Sequence, residues 1–174
     1  MRWMWIDQIV EHEPQRRLCA VKNVSLAEEH LHDHFGPDAR GGALAVMPAS
    51  LMIEGMAQTA GILVGSINHF KEKVILAKIV SARFDKDVFP GQTIRYEAQI
   101  EHIDSRGAST SGVVKRLAHH GERAGAWEEI GAVELMFSHL DQNLAGLEFP
   151  DENFVFSENF RTILRAAGMS DLAK

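Results

Sequence analysis

Two kinds of side chain in this sequence could move protons: the lone acid Glu54, and the histidines His30, His32 and His34, which recur at every second position. Glu54 is the only charged residue between Pro48 and Asn68, among Leu51, Met52, Ile53, Met56, Ile62, Leu63, Val64 and Ile67. An isolated ionised carboxylate in such surroundings costs several kcal/mol unless it is paired or protonated. Gln58 stands at i+4, one helical turn on, within reach of the carboxyl group. Either the amide and the acid form a structural pair, or the apolar setting keeps a proton on the acid for donation in a reaction. The histidines could hold a metal from one face of a strand. A short helix would scatter them, and no matching Cys, Asp or Glu pattern accompanies them, so no metal is expected. His30 and His32 read as surface histidines. His34 differs, because Phe35 follows it and a Gly- and Pro-rich loop, Gly36 to Ala45, leads from it toward the stretch that holds Glu54.

That stretch, Val46 to Asn68, leaves no face of a helical wheel polar, which places a helix in a protein core or a membrane. Glu54, Gln58, Ser50, Thr59 and three glycines interrupt it and no second span accompanies it, so a core helix is expected, with Pro48 in its first turn. Met47, Met52 and Met56 cluster around it, where thioethers suit an adaptable apolar tunnel as well as plain packing. Ahead of the helix, Ile6 to His12 and Arg17 to Val24 read as an extended entry and a strand. Ser25 followed by Glu28 reads as a capping box opening a short helix. Behind it, Lys73 to Lys86 reads as a long strand with a buried VILAKIV centre, and Phe89-Pro90-Gly91 as a turn. Thr93 to Ile103 alternates, with Ile94, Tyr96, Ala98 and Ile100 on one face, and Ser109 to Leu117 and Ala126 to Leu140 supply two more strands. One long helix followed by successive strands predicts an α+β fold, the helix packed on an antiparallel sheet. Past Asp141 an acidic, Pro-containing linker leads to an amphipathic stretch from Ser157 to Ala167. The expected division is therefore one domain over 1–140 and a C-terminal extension with a short helix over 141–174. Trp3 and Trp5 mark a terminal segment whose rings need packing or an interface.

With 174 residues and 45% hydrophobic content the chain is sized for one well-buried core. A formal charge of −6 offers no basic field for nucleic acid. The single cysteine, Cys19, cannot close an intrachain disulfide and no charged-then-apolar leader opens the sequence, which together predict a reducing cytoplasm.

Several of these pieces resemble one family, the hotdog-fold beta-hydroxyacyl-acyl-carrier-protein dehydratases. His34-Phe35 matches the start of that family's Gly-His-Phe-Pro-Gly. VMPASLMIEGMAQTAGIL, from Val46 to Leu63, matches its Val-Met-Pro-Gly and Glu-Ala-Leu-Ala-Gln helix, and Ala82-Arg83-Phe84 with Val88-Phe89-Pro90-Gly91 follows in order. The resemblance covers residues 5 to 140 and implies a hotdog fold, an antiparallel sheet wrapped around the long helix. It implies a catalytic pair, His34 as base and Glu54 as acid, contributed by the two chains of a homodimer, alone or as a trimer of dimers. Its substrate would be an acyl thioester carried on acyl carrier protein, with no cofactor. The thioester carbonyl would take the N–H of Ala49, the carbonyl of Val46 would orient the histidine, and Met52 and Gln58 would border the substrate. Arg83 and Lys86 would be the docking cations for the carrier. The sequence departs from the pattern in three places: Gly36-Pro37 stands in reversed order in a longer loop, Ala49 replaces glycine, and Asp85-Lys86-Asp87 is less basic than usual. Two other functions fit the same helix: a hotdog acyl thioesterase, whose carboxylate would activate water without needing His34, and a non-catalytic acyl-binding subunit.

Overall fold

The computed structural model describes residues 3–33, 35–37, 41–121, 124–140 and 158–173. In chain order the elements are β1 (Gln8–Glu13), β2 (Arg17–Asn23), α1 (His30–Asp33), α2 (Ala49–Ile67), β3 (Lys73–Phe84), β4 (Gln92–Asp104), β5 (Gly107–Ala118), β6 (Trp127–Leu140) and α3 (Glu158–Ala166), with a last 3-10 turn at Ser170–Ala173. The six strands form one sheet in the order β1-β2-β4-β5-β6-β3, every neighbouring pair antiparallel. The expected α+β arrangement is therefore present, with α2 lying across the sheet against β2 to β6.

α2 is the centre of the core because its sequence gives it no polar face to show water. Every residue from Gly55 to Ser66 is buried. Long and apolar enough to cross a bilayer, the helix has 67% of its most apolar stretch buried inside the fold, which makes it a core helix. Pro48 stands one place before the first turn, as the N-cap with extended backbone (φ −60°, ψ 132°), while Met47 N donates to Val88 O at 2.8 Å and fixes the entry to the helix. The inward faces of the strands meet it: Leu18 and Ala20, Ile94, Tyr96 and Ala98, Val114, Val133 and Leu135 are all buried. Tyr96 comes so close that a Cβ on Gly55 would lie 2.4 Å from its ring carbon Cζ and from its hydroxyl oxygen, so only glycine fits there.

Three expectations need correction. The VILAKIV centre of β3 is not a buried core: Leu76, Ile79 and Val80 are 38%, 46% and 47% exposed, and Val74 is the buried residue. β3 is the terminal strand of the sheet, hydrogen-bonded to β6 alone, and α2 covers only its start, so that from Leu76 onward its apolar run stays exposed among the described residues. The capping box at Ser25 is not made either. Ser25 Oγ accepts from Ala27 N at 3.2 Å, and Glu28 turns instead to the buried Lys22, whose Nζ donates to it at 2.5 Å. A buried ammonium must be paired, and that requirement outweighs a cap. Finally, His30 is not a surface residue: its ring meets Trp5 edge-on with centroids 5.0 Å apart, while His32 is exposed as expected. α3 forms within the predicted span and seats Ile163 and Leu164 in the core.

Candidate active site

Two cavities border α2 and divide the expected site residues between them. The first, about 300 Å³, lies along the middle of the helix and is lined by Glu54, Ala57, Gln58 and Gly61, by Val74 to Leu76 of β3, by Phe137, and by Trp3 and Phe160. Glu54 stands half-buried in its wall. The carboxyl group is not isolated: Oε1 accepts from Gln58 Nε2 at 3.0 Å and from the indole Nε1 of Trp3 at 3.1 Å. Oε2 accepts no hydrogen bond among the described residues. The i+4 pair with Gln58 is thus formed as its spacing predicts. Gln58 is held in turn by the N-terminal segment, its Oε1 accepting from Trp5 N at 2.9 Å and its Nε2 also donating to Trp3 O at 3.2 Å.

The second cavity, about 350 Å³, lies at the N-terminus of α2. Phe35, Val46, Met47, Pro48, Ala49 and Met52 line it on one side, and Phe84 to Asp87 on the other. Here the first N–H groups of the helix are free of intrahelical partners, as at every helix start. The loop into it doubles back, with Leu44 N on Phe35 O at 3.0 Å and Val46 N on Leu44 O at 3.0 Å. The two cavities share no lining residue among the described residues. Val46, Ala49 and Met52 are therefore brought together, Glu54 and Gln58 are brought together, and the two groups are kept apart within one chain. His34 lies outside the described residues.

Of the expected docking cations, Lys86 borders the second cavity and is bound to Glu128, which also takes Arg116. These partners, Lys86 first, hold the Glu128 carboxyl well below its ordinary value, at about 2. Arg83 lies on the exposed part of β3, 3.4 Å from Asp85. Both cations thus have an acidic neighbour. Sequence reasoning missed Trp3 and Phe160 as walls of the Glu54 cavity. Trp3 is 51 residues from Glu54, and no spacing rule relates them. For Phe160, helical spacing marked an apolar face without showing what it would cover.

Known proteins resemble this chain in sequence and in fold. The family model of the FabA-like domain matches residues 2–124. The 3-hydroxyacyl-[acyl-carrier-protein] dehydratase FabZ of Clostridium tetani is 36% identical over 126 residues, 72% of this chain and 82% of that protein. The dehydratase of the same name from Caldanaerobacter subterraneus is 35% identical over 137 residues, 78% of this chain and 86% of its own. Among solved structures, the dehydratase heterocomplex ApeI:P of Xenorhabdus doucetiae superposes with a TM-score of 0.57 at 15% identity, covering 80% of this chain and 84% of that one. A thioesterase family protein from Silicibacter pomeroyi reaches 0.58 at 11% identity, covering 76% and 83%, so the fold is common to both chemistries. With well over half of its residues inside the family match, and with both FabZ relatives above 30% identity across more than four fifths of their own length, the chain belongs to the FabA-like family and has the hotdog fold.

Proposed function

We propose that the chain is a 3-hydroxyacyl-acyl-carrier-protein dehydratase of fatty acid biosynthesis, which removes water from a β-hydroxyacyl thioester and leaves the trans-2-enoyl thioester. The observation that carries the reading is the setting of Glu54: the acid of the central helix lines an apolar-walled cavity with one carboxyl oxygen held by two N–H donors and the other left for a reacting group. In the reaction His34 takes the proton from the α carbon, the electron pair forms the double bond, and the β C–O bond breaks. Glu54 gives its proton to the departing hydroxyl, so that water leaves. The N–H of Ala49, at the start of α2, holds the thioester carbonyl as charge gathers on it. Val46 orients the histidine, Met52 and Gln58 border the substrate, and Lys86 with Arg83 faces the carrier.

The working unit is a homodimer, single or three together, in the cytoplasm, with His34 of one chain opposite Glu54 of the other. Two features support this. Glu54 and the helix N-terminus line separate cavities of one chain, so a second copy is needed to oppose them. β3 carries exposed Leu76, Ile79 and Val80 along a sheet edge that pairs with nothing among the described residues, and a second β3 would pair and cover it. Residues 1–140 form the catalytic domain and 141–174 the extension that brings Phe160 to the cavity.

Subunit complementation tests the reading. His34→Ala and Glu54→Gln homodimers, assayed with β-hydroxybutyryl and crotonyl thioesters, should each be nearly inactive, because each lacks half of the acid–base pair at both sites. A mixed dimer carries both defects in one site and none in the other. After verified subunit exchange, activity should return to about a quarter of wild type for random re-pairing with independent sites. No recovery refutes the shared site, and release of free thiol instead of hydration or dehydration refutes the dehydratase.

A further inference from the structure

Trp3 presents a problem that burial does not solve. It is 59% exposed, the highest value among the large hydrophobic side chains of the described residues, yet its ring is held in one place. Edge-to-face contact with Trp5, at 5.5 Å between centroids and 85° between planes, fixes one side of it. Trp5 is itself anchored, 7% exposed, and Ile6 beside it is 1% exposed. Asp7 N then bonds Val21 O at 2.7 Å, tying the segment to β2. This rigid lead-in delivers the indole N–H to Glu54 Oε1 at 3.1 Å. The same segment sets the Gln58 amide. Because Gln58 Oε1 is occupied by Trp5 N, its NH2 group must face Glu54 and the carbonyl of Trp3. Oε1 of Glu54 therefore meets donors from two directions, and a proton placed on it would collide with both. Any proton Glu54 carries belongs on Oε2.

Resting on the reading of Glu54 as the acid, we propose that Trp3 is a positioning residue for the dehydration. Its indole N–H pins Oε1, fixes the plane of the carboxyl group, and reserves Oε2 as the oxygen that exchanges a proton with substrate. Gln58 alone would hold Oε1 by one bond and leave the group free to turn about it. The N-terminal segment is then part of the catalytic apparatus.

The test is Trp3→Phe in the full-length protein, assayed for hydration of crotonyl thioester, with Trp3→Ala as a second variant and thermal melts of both. Phenylalanine keeps an aromatic ring for Trp5 and loses the N–H together with the second ring of the indole, so the melting temperature and KM report on the lost ring and kcat on the lost bond. The expected result is a fall in kcat of about tenfold with KM within about twofold and the melting temperature unchanged, as loss of one hydrogen bond to the carboxyl group implies. Trp3→Ala should lose at least as much. If Trp3→Phe turns over like wild type, or if only Trp3→Ala is impaired and KM rises with it, Trp3 serves packing and the proposal is wrong. Glu54→Gln, run in parallel, separates the two layers. An inactive Glu54→Gln beside a fully active Trp3→Phe overturns the role of Trp3 alone, whereas a fully active Glu54→Gln overturns the reading of Glu54 and this proposal with it.

Discussion

The contact between α2 and β4 makes a quantitative prediction at the residue next to the proposed acid. Gly55→Ala would place a methyl group 2.4 Å from Cζ and from the hydroxyl oxygen of Tyr96. Carbon atoms in van der Waals contact sit about 3.5–4.0 Å apart, so helix and ring must separate by roughly 1 Å. Neither yields easily. Tyr96 is fully buried on β4, bonded on both sides to β2 and β5, and Gly55 opens the continuously buried run of α2. Overpacking of this kind costs about 1–3 kcal/mol, here toward the upper end, and alanine regains about 1 kcal/mol over glycine inside a helix. The net loss is then about 1–2 kcal/mol, or about 2–8 °C in melting temperature for a domain of this size. Tyr96→Leu removes the obstructing atoms and leaves space that the new methyl group can enter. The double variant Gly55→Ala/Tyr96→Leu should therefore be more stable than the sum of the single effects predicts, by about 1–2 kcal/mol. Urea unfolding of the four proteins measures the cycle. A Gly55→Ala protein as stable as wild type, or strict additivity, would refute the reasoning that this glycine exists to admit Tyr96.

Two further outcomes follow from groups around the second cavity. Glu128 is held at about 2, below its ordinary 4.5, by Lys86 and Arg116, so the stabilisation from its ionised form is complete above pH 4.5 and lost as pH falls through about 2. Carboxyl-carbon NMR should find Glu128 still ionised at pH 3, and a midpoint near 4.5 would mean that the Lys86 and Arg116 contacts do not persist in solution. Gly131→Ala would put a methyl group 2.4 Å from the backbone oxygen of Arg83, at the end of β3. The strand end must lift from β6, and amide exchange of residues 83–85 should accelerate, with stability falling by about 1–3 kcal/mol. Unchanged protection there would show that β3 accommodates the group without moving.

What could be read from residues alone follows the range of the forces involved. α2 was legible because a helix with no polar face and one acid has a single place in a compact domain. β4 was legible because Ile94, Tyr96 and Ala98 alternate with charged neighbours, and all three are buried as that period predicts. The Glu54–Gln58 bond was legible because one helical turn relates the two residues. The short helix formed, at His30–Asp33, but its expected cap did not, because the capping residue had a rival: Lys22, on β2, needed the carboxylate of Glu28 more than Ser25 did. No local pattern reports a competitor that arrives through tertiary structure. Trp3 was beyond reach for the same reason, since its bond to Glu54 joins residues 51 positions apart.

β3 is the more instructive difference, because its sequence was read correctly and its burial was not. VILAKIV states that this strand avoids water; it does not state which molecule covers it. Within one chain Leu76, Ile79 and Val80 stay exposed on a strand whose outer edge pairs with nothing among the described residues. The same separation recurs at the site, where the cavity of Glu54 and the cavity at the start of α2 have no described residue in common. Leu76 connects the two observations, since it belongs both to the exposed run and to the wall of the Glu54 cavity. A second copy laid against β3 in the proposed dimer would cover the apolar run and, by the same movement, close the Glu54 cavity on the side where Leu76 stands. Dimerisation and assembly of the site would then be one event, and a charge introduced at Ile79 to block pairing should abolish activity together with the dimer while leaving α2 and its buried run folded.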